Sequence, residues 1–339
     1  MQRETLVAER SDEREVLLKG RLSQALLRLN PWMTEQHTER VTHNLENVGA
    51  VGMARNQVIH EYLTYGMPLD VEETGGRRTR IVSFFDFDHP EPEDGRNEFI
   101  VTTQMRVRRG NEPGGRHEDD EKVVKPDLVL FVNGIPLVVM EAKSPSLLDV
   151  WKARAIRQLL RYQEALPQWH GSGAPELFDY NLLCVAHCGA AAAYGPVGAP
   201  ENAYAGWKYL PASMEEEVTA RFGVEPQGQA QLIIGLLAPA TLLDVLRDYV
   251  VYEPEKGKLV KKLPRYQQYR AVVRAMGRIL TSTRPEERGG VVWHTQGSGK
   301  SLTMLWLATK LRREPRLQNP TIVIVTDRTQ LDRQISETF

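Results

Sequence analysis

Apolar residues in the N-terminal part of the chain recur at helical spacing. The stretch 11–30 places them three and four positions apart and is predicted to be a capped helix with one apolar face, and two more helices are predicted around 34–47 and 51–64. Ser11, a residue type that caps helix N-termini, precedes the first of them. The apolar stripe of this first helix consists of Leu17, Leu18, Leu22, Ala25, Leu26 and Leu29.

The pattern then shortens to the two-residue period of strands. Residues 78–87 and 97–108 alternate in this way, and a turn region rich in Pro, Asp and Gly separates them. The elements predicted next are a solvated charged loop at 108–122, an apolar hairpin at 126–145, an amphipathic helix at 146–166, a buried strand at 181–187 and a loop rich in small residues.

The last third of the chain alternates helix and strand. A mostly helical connector precedes helix, loop, strand, glycine loop, helix, strand and helix, an order that is typical of a parallel α/β sheet. The chain is therefore predicted to be an α/β protein in three parts, namely residues 1–205, a connector at 206–258, and residues 259–339.

Composition limits the classes of protein that this chain can be. Its 339 residues, 41% hydrophobic and 26% charged, fit about two globular domains. The 43 Lys and Arg against 44 Asp and Glu leave a net charge of -1, so a nucleic-acid surface has to come from local patches.

Nothing in the sequence pattern predicts export or membrane insertion. The first 20 residues lack the apolar core of a signal peptide, and Pro239 interrupts the apolar stretch 232–246. The two cysteines, Cys184 and Cys188, fit a reducing compartment. We therefore expect a cytoplasmic protein that has no contact with a membrane.

Three charged side chains stand at one end of the apolar hairpin. Glu141 and Lys143 are two positions apart on a strand and so point to the same face. A two-residue loop at Asn133–Gly134 would place Asp127 opposite Met140, on the wrong face. A three-residue loop would instead bring Asp127 diagonal to Glu141. We predict the three-residue loop or a compensating bulge.

The residue types at this end are those of a metal-dependent nuclease. The carboxylates of Asp127 and Glu141, with the carbonyl of Ala142, offer the hard oxygen ligands that Mg²⁺ prefers. The ion would activate water and stabilise charge on a scissile phosphate, while Lys143 would orient the nucleophile or stabilise developing negative charge. The alternative is that these charges simply meet solvent at the strand ends.

The helix after the hairpin adds two residues to the candidate site. Gln158 and Tyr162 are four apart and share a face, with Arg157 and Arg161 beside them for phosphate contacts. This arrangement resembles the PD-(D/E)xK nuclease superfamily, whose RecB-like branch carries Gln-x-x-x-Tyr at this place. The resemblance implies a mixed sheet flanked by helices, with the catalytic residues Asp127, Glu141, Lys143, Gln158 and Tyr162.

A glycine loop between a predicted strand and a helix indicates a nucleotide site. The stretch 289–311 contains the distal half of the P-loop pattern, Gly299-Lys300-Ser301, although His294 occupies the first glycine position. Backbone amides can still surround an anion at the helix N-terminus, with Lys300 on the β- and γ-phosphates and Ser301 as a ligand of Mg²⁺. The residues assigned to nucleotide binding are Thr295, Gln296, Gly297, Ser298, Gly299, Lys300 and Ser301.

Two flanking stretches are typical of helicase-like motors. Gln268 stands where such motors place a glutamine that reads adenine, although it fits an ordinary surface residue of a helix equally well. Residues 321–335 are predicted to form a buried strand, a loop at Thr326, Asp327 and Arg328, and a helix. In such motors this loop faces nucleic acid.

Taken together, these motifs resemble the N-terminal third of the R subunit (HsdR) of type I restriction enzymes. The resemblance implies a nuclease domain followed by an incomplete RecA-like domain of a superfamily 2 motor. It also implies ATP-driven translocation and cleavage of double-stranded DNA, with Mg²⁺ and ATP as cofactors and methyltransferase (M) and specificity (S) subunits as partners. Because R subunits are far longer, we expect a fragment that does not hydrolyse ATP alone. The stretches that carry the resemblance are 124–145, 265–272, 291–304 and 325–335.

Two other functions remain open at this point. One is a P-loop ATPase or switch protein whose N-terminal domain binds DNA but has a decayed nuclease site. The other is a stand-alone metal-dependent nuclease with a vestigial nucleotide loop.

Some further residues carry weaker expectations. Relatives often have another acid on an N-terminal helix, for which Glu13 and Glu15 are candidates. Cys184, His187 and Cys188 are expected to be core residues rather than zinc ligands. A basic run either tracks a DNA backbone or forms solvated helix faces; its members are Lys258, Lys261, Lys262, Arg265, Arg270, Arg274 and Arg278.

Overall fold

The computed structural model describes residues 9–74, 76–108, 123–210, 212–223 and 226–325. The helices of these residues are α1 (Lys19–Leu29), α2 (Glu35–Glu46), α3 (Gly52–Tyr65), α4 (Trp151–Tyr162), α5 (Ala212–Phe222), α6 (Gly228–Leu236), α7 (Pro239–Asp248), α8 (Tyr266–Thr281) and α9 (Lys300–Arg313). The strands are β1 (Met67–Glu73), β2 (Gly76–Val82), β3 (Phe99–Thr103), β4 (Val107–Arg108), β5 (Val123–Val124), β6 (Leu128–Val132), β7 (Ile135–Ala142), β8 (Leu183–His187), β9 (Ala192–Pro196), β10 (Val251–Glu255) and β11 (Lys258–Lys262).

A five-stranded mixed sheet in the order β3-β6-β7-β8-β9 lies at the centre. Its neighbours are antiparallel except for β7 and β8, which are parallel. Helix α4 lies in the connection between those two strands and packs on both. Because helices cover the sheet, β7 and β8 are buried almost throughout and read as continuous apolar runs. The predicted α/β class with a mixed sheet is confirmed.

The turn between β6 and β7 contains two residues and is buried. Asn133 and Gly134 have φ values of 51° and 79°, as a tight hairpin turn requires. The Asn133 side chain donates to the Phe84 carbonyl at 2.9 Å and accepts from the Glu98 backbone N–H at 2.8 Å. On the other side, the N–H of Leu18 donates to the Gly134 carbonyl at 2.9 Å. The hairpin is therefore held in one position at its closed end.

The register of the hairpin differs in part from the prediction. The three-residue loop is wrong, whereas the compensating bulge, which was predicted as the alternative to it, is confirmed and shifts the pairing by one residue. As a result Leu128 pairs with Met140. One step further along both strands, Asp127 stands beside Glu141 rather than diagonal to it. The bulge thus places Asp127 and Glu141 on the same face of the hairpin, as the longer loop was expected to do.

Several helices and strands differ from those predicted from the sequence or were not predicted at all. Helix α1 begins at Lys19, because the residues after Ser11 form turns instead. Strand β1 was not predicted, nor was the β10–β11 hairpin, which crosses the expected boundary at residue 258. Strand β9 lies in the stretch of small residues predicted to be a loop. Its Gly195 is needed because a Cβ there would lie 2.7 Å from the ring of Tyr204.

The two strands predicted on either side of the glycine loop do not form in the described part of the chain. Residues 291–295 and 321–325 pair with no described strand, and Val291, Trp293 and Val323 are exposed. An apolar extended segment becomes a strand only where a neighbour supplies ladder hydrogen bonds. The predicted loop at 326–328 and the charged loop at 109–122 lie outside the described residues.

Helix α7 anchors α9 through buried and half-buried ion pairs. Asp244 and Asp248 both accept from Lys310, the latter at 3.2 Å. Arg313 donates to Asp248 at 2.6 Å. Because Asp248 is almost fully buried, these pairs fix the helix of the glycine loop to the connector.

The basic run does not form one continuous surface. Lys261 is 2% exposed and donates to the Asn56 side chain at 3.1 Å and to the Asn181 carbonyl at 2.9 Å. Burial lowers the pKa of Lys261 to about 7. Lys262 pairs with Glu253 on the facing strand. A DNA-tracking role for the whole run is therefore wrong, although Arg270, Arg274 and Arg278 are exposed.

No single helix in the described residues has the length and apolar content to cross a membrane. One pair of helices, α6 with α7, bends by 66° at the break between them and passes the same test by length and composition.

The buried turn allows a test of the hairpin geometry. In Gly134→Ala the new Cβ would lie 2.6 Å from the Leu18 carbonyl, and the φ of 79° would also be strained. We expect the free energy of unfolding to fall by more than the about 1–2 kcal/mol that a left-handed alanine costs. Gly257→Ala is the matched control, since Gly257 also has a φ of 79° but nothing within 4 Å. Denaturant unfolding of both variants measures this, and equal losses would contradict the buried turn.

Candidate active site

The hairpin brings Asp127 and Glu141 to one end of the central sheet. Asp127 Oδ2 accepts from the Ala142 backbone N–H at 2.8 Å, which ties the start of β6 to the end of β7. Glu141 is 1% exposed, and its Oε1 accepts from Lys143 Nζ at 2.5 Å. Its Oε2 is buried and has no hydrogen-bond partner among the described residues. One carboxylate oxygen is therefore held and the other is left for a ligand.

Helix α4 completes a chain of hydrogen bonds around Lys143. The Lys143 ammonium also donates to Gln158 Oε1 at 2.8 Å, and Gln158 Nε2 donates to the Tyr162 hydroxyl at 2.5 Å. Tyr162 donates in turn to the Lys125 carbonyl at 3.4 Å. The structure thus brings together the five residues predicted from the hairpin and its helix, and Gln158 and Tyr162 act on Lys143 rather than standing alone.

The burial of this group changes its acid–base chemistry. Burial raises the pKa of Glu141 to about 7, the hydrogen bond from Lys143 opposes the rise, and the charge of Asp127 adds to it. Burial, reinforced by the charge of Glu141, raises the pKa of Tyr162 to about 12, so its hydroxyl stays a proton donor near neutral pH. Lys143 thus neutralises the negative charge of Glu141 only in part, and a further cation is needed to neutralise the rest.

The donor set fits a magnesium ion. Among the described residues no three His, Cys, Asp or Glu side chains cluster as metal ligands. Magnesium needs fewer, since it keeps several waters and is commonly held by one or two carboxylates. Asp127 and the unpartnered Oε2 of Glu141 supply two carboxylates, and they are close in space because the N–H of Ala142, the residue after Glu141, donates to Asp127.

Gln104 is a site residue that sequence reasoning missed. Its side chain donates to Asp127 Oδ1 at 2.7 Å and its backbone N–H donates to the Asp127 carbonyl at 3.0 Å. Its φ of 51° is unusual for a residue that is not glycine, and such strain is concentrated at functional sites. The spacing of apolar and polar residues could not indicate a role for Gln104, because hydrophilic residues commonly follow strands.

Three other residues near the site have structural roles. The carbonyl of His187 accepts from the Lys143 backbone N–H at 2.8 Å, and its ring lies 2.9 Å from the Gln229 side chain. Burial lowers the pKa of His187. Cys184 and Cys188 are buried free thiols, as expected of core residues.

Neither candidate for a further acid joins the site. Glu13 pairs with Arg106 at 2.7 Å, and Glu15 pairs with Lys19 at 3.2 Å and accepts from Ser11. These carboxylates stabilise the segment before α1 instead.

The glycine loop ends at the N-terminus of α9. Gly297 and Gly299 have φ values of 76° and 77°, which explains why glycine stands at both positions. Lys300 folds back over the loop, where its Nζ donates to the Thr295 carbonyl at 3.0 Å and to the His294 carbonyl at 3.3 Å. The remaining predicted residues, Gln296, Ser298 and Ser301, lie in the same loop and in the first turn of α9.

Gln268 is not a surface residue. It is 3% exposed, its Oε1 accepts from the Arg265 N–H at 2.7 Å, and its Nε2 donates to the carbonyls of Ser298 (2.9 Å) and Gly299 (3.1 Å). Helix α8 therefore supports the glycine loop through this amide, and Gly299 has no room for a Cβ, which would lie 2.5 Å from Gln268 Nε2.

Comparison with known proteins gives two family matches and several relatives. The model of the type I restriction enzyme R protein N terminus matches residues 1–203, and the model of the SWI2/SNF2 ATPase matches residues 267–339. The type I restriction enzyme HindI endonuclease subunit of Haemophilus influenzae is 34% identical over 97% of this chain. The MjaIXP endonuclease subunit of Methanocaldococcus jannaschii is 29% identical over 98%. The chain covers 29% and 31% of these two relatives, less than a third of their length.

The buried carboxylate predicts an unusual pH dependence of stability. Because the folded-state pKa of Glu141 is raised, the folded chain holds this proton more tightly, and stability falls as pH rises from about 4.5 to about 7. Glu141→Gln removes that loss. At about 1.4 kcal/mol per pKa unit, a rise from 4.5 to about 7 corresponds to about 3–4 kcal/mol, and we expect the variant to gain about this much relative to the unaltered chain between pH 4.5 and pH 8.

Urea unfolding in EDTA measures this gain. Glu286→Gln, which alters an exposed carboxylate, is the control and should show no comparable trend. A stability difference for Glu141→Gln that does not vary with pH would mean that Glu141 is not a destabilised anion.

Proposed function

Because the chain belongs to the family of type I restriction enzyme R proteins, we propose that its N-terminal part is a Mg²⁺-dependent nuclease that cleaves double-stranded DNA. In the whole protein this cleavage follows ATP-driven translocation. The protein acts with methyltransferase and specificity subunits, which carry the modification activity and the reading of the DNA sequence. The HindI relative is named as an endonuclease subunit, which supports this assignment.

The observation that carries the proposal is the half-satisfied carboxylate of Glu141. A buried carboxylate with one unpartnered oxygen, beside a second carboxylate and a lysine, is costly unless a cation completes it. A purely structural ion pair has no need of Asp127 on the same side. The arrangement is the one expected of the PD-(D/E)xK nuclease fold.

Each residue then has a distinct task. Asp127 and Glu141 would hold the ion, which would supply a Lewis acid for the phosphate and lower the pKa of water. Gln104 fixes the carboxylate of Asp127 by its two hydrogen bonds. Lys143 orients the attacking water or stabilises the charge that develops on the phosphate.

The helix residues position Lys143. Gln158 accepts from the ammonium while Tyr162 holds the other end of the Gln158 amide. Because Lys143 is held by both Glu141 and Gln158, its ammonium has one orientation when DNA arrives. Pre-organisation of this kind lowers the cost of reaching the transition state.

The C-terminal part contributes the nucleotide site of the proposed motor. The match to SWI2/SNF2 ATPases over 267–339 supports ATP as its ligand and a RecA-like fold for the complete domain. Loop amides from Gly297 onward would surround the phosphates, Lys300 would move from its loop carbonyls to the β- and γ-phosphates, and Ser301 would hold Mg²⁺. Gln268 supports this loop through its hydrogen bond to the Ser298 carbonyl, and we assign to the same side chain the reading of adenine.

The rival functions explain less. A decayed nuclease site does not explain the continuous chain of hydrogen bonds, which connects Glu141, Lys143, Gln158 and Tyr162. A vestigial nucleotide loop does not explain why Gly297 and Gly299 both have the left-handed conformation, or why the buried Gln268 supports the loop.

The experiment is carried out in the complete R protein assembled with its M and S subunits. Asp127→Ala and Lys143→Ala should lower the DNA cleavage rate on the order of 10²-fold or more, because each removes a charge next to the reacting phosphate. ATP hydrolysis should be retained, since the phosphate loop is unchanged. Lys300→Ala should abolish ATP hydrolysis and, through lost translocation, cleavage as well.

Asp94→Ala, which alters an exposed carboxylate on a surface turn, is the control and should cut normally. Cleavage by Asp127→Ala at the normal rate in Mg²⁺ would disprove the nuclease assignment.

A further inference from the structure

A groove opens on the surface directly beside Lys143. It has a volume of about 350 Å³ and is formed by helix α4, the segment before it, and a residue after it. The groove begins at two residues of the candidate active site and extends away from them. Its lining residues are Lys143, Leu147, Arg154, Arg157, Gln158, Arg161 and Trp169.

The charge of this groove is positive and largely unneutralised. Arg154 and Arg157 are exposed, and neither has a hydrogen bond or ion pair to any described residue. Arg161 lies over the ring of Tyr162, with 5.4 Å between the guanidinium and the ring centroid. Among the described residues no carboxylate lines the groove, and Lys143, which pairs with the buried Glu141, is the one of its four cations that has a carboxylate partner.

The spacing of these cations fits a phosphodiester backbone. Arg154, Arg157 and Arg161 lie three and four residues apart on one face of α4. Seven residues of helix span about 10 Å. This distance equals the axial rise of about three base pairs in a DNA strand. A single small anion would not use a row of this length.

We propose that this groove binds the phosphodiester backbone of the DNA strand to be cut, with Arg154 and Arg157 on phosphates that flank the scissile one. The proposal rests on the proposed nuclease function and adds the path of the substrate. Arg161 lies between this path and Tyr162. The half-buried Trp169 also lines the groove, where its ring would contact a sugar or base.

The test measures DNA binding by the 339-residue chain in EDTA, so that no cleavage interferes. Fluorescence anisotropy with a 30-base-pair duplex of random sequence gives Kd across a salt series from about 50 to about 200 mM. In Arg154→Gln/Arg157→Gln the slope of log K against log salt should be shallower by about 1.8, since each lost phosphate contact removes about 0.9. Kd should rise on the order of tenfold in low salt.

Arg312→Gln/Lys256→Gln is the matched control, because it removes the same charge from exposed positions outside the groove. It should leave the slope unchanged. An unchanged slope in the groove variant overturns the proposal, as does an equal effect of the control or the absence of duplex binding by the unaltered chain. An acidic peptide or free nucleotide that competes better than DNA does the same.

Asp127→Ala separates this inference from the nuclease assignment. If the groove variant loses binding while Asp127→Ala still cuts in the complete enzyme, the substrate path is supported and the catalytic assignment fails. If Asp127→Ala stops cleavage but the groove variant binds normally, the catalytic assignment stands and the groove proposal fails.

Discussion

The structure of the candidate site depends on one buried carboxylate. Glu141 is 1% exposed at the end of a strand that is buried on both faces. Placing an anion there is costly, and the Lys143 ammonium offsets only part of that cost, because the pKa of Glu141 is still raised to about 7. Lys143 is in turn held by Gln158, and Gln158 by Tyr162. These hydrogen bonds connect α4 to the end of β7 around one charge.

The hairpin that carries Glu141 is fixed by its register and by contacts at its closed end, which is far from this carboxylate. A two-residue turn alone would send Asp127 to the wrong face, and a bulge corrects the register by one residue. The turn itself is held by Asn133, whose side chain is fully buried, and by the contact of Gly134 with the start of α1. Packing at the closed end of the hairpin thus sets the position of the metal ligands at its open end.

Much of this arrangement could be predicted from the sequence. Helical spacing identified α2, α3 and α4, and the two-residue spacing of Glu141 and Lys143 placed them on one face of a strand. The bulge could not be distinguished from a longer loop, because both give the same spacing in sequence. Gln104 and the buried amide of Gln268 could not be found, since their roles come from contacts between segments distant in the chain. Strand β9 was not predicted from the sequence, because its alanines and glycine do not form the apolar run that is typical of a strand. Its Gly195 lies against the ring of Tyr204.

We propose that Asp127 and Glu141 share a divalent cation. Anomalous diffraction from crystals of the chain soaked in Mn²⁺, a substitute for Mg²⁺ with a measurable signal, can detect that cation. We expect one strong peak between the two carboxylates, within about 2.0–2.3 Å of Glu141 Oε2 and of an Asp127 oxygen. A fully substituted crystal without a peak there, and with Lys143 Nζ in contact with both oxygens of Glu141, would contradict it.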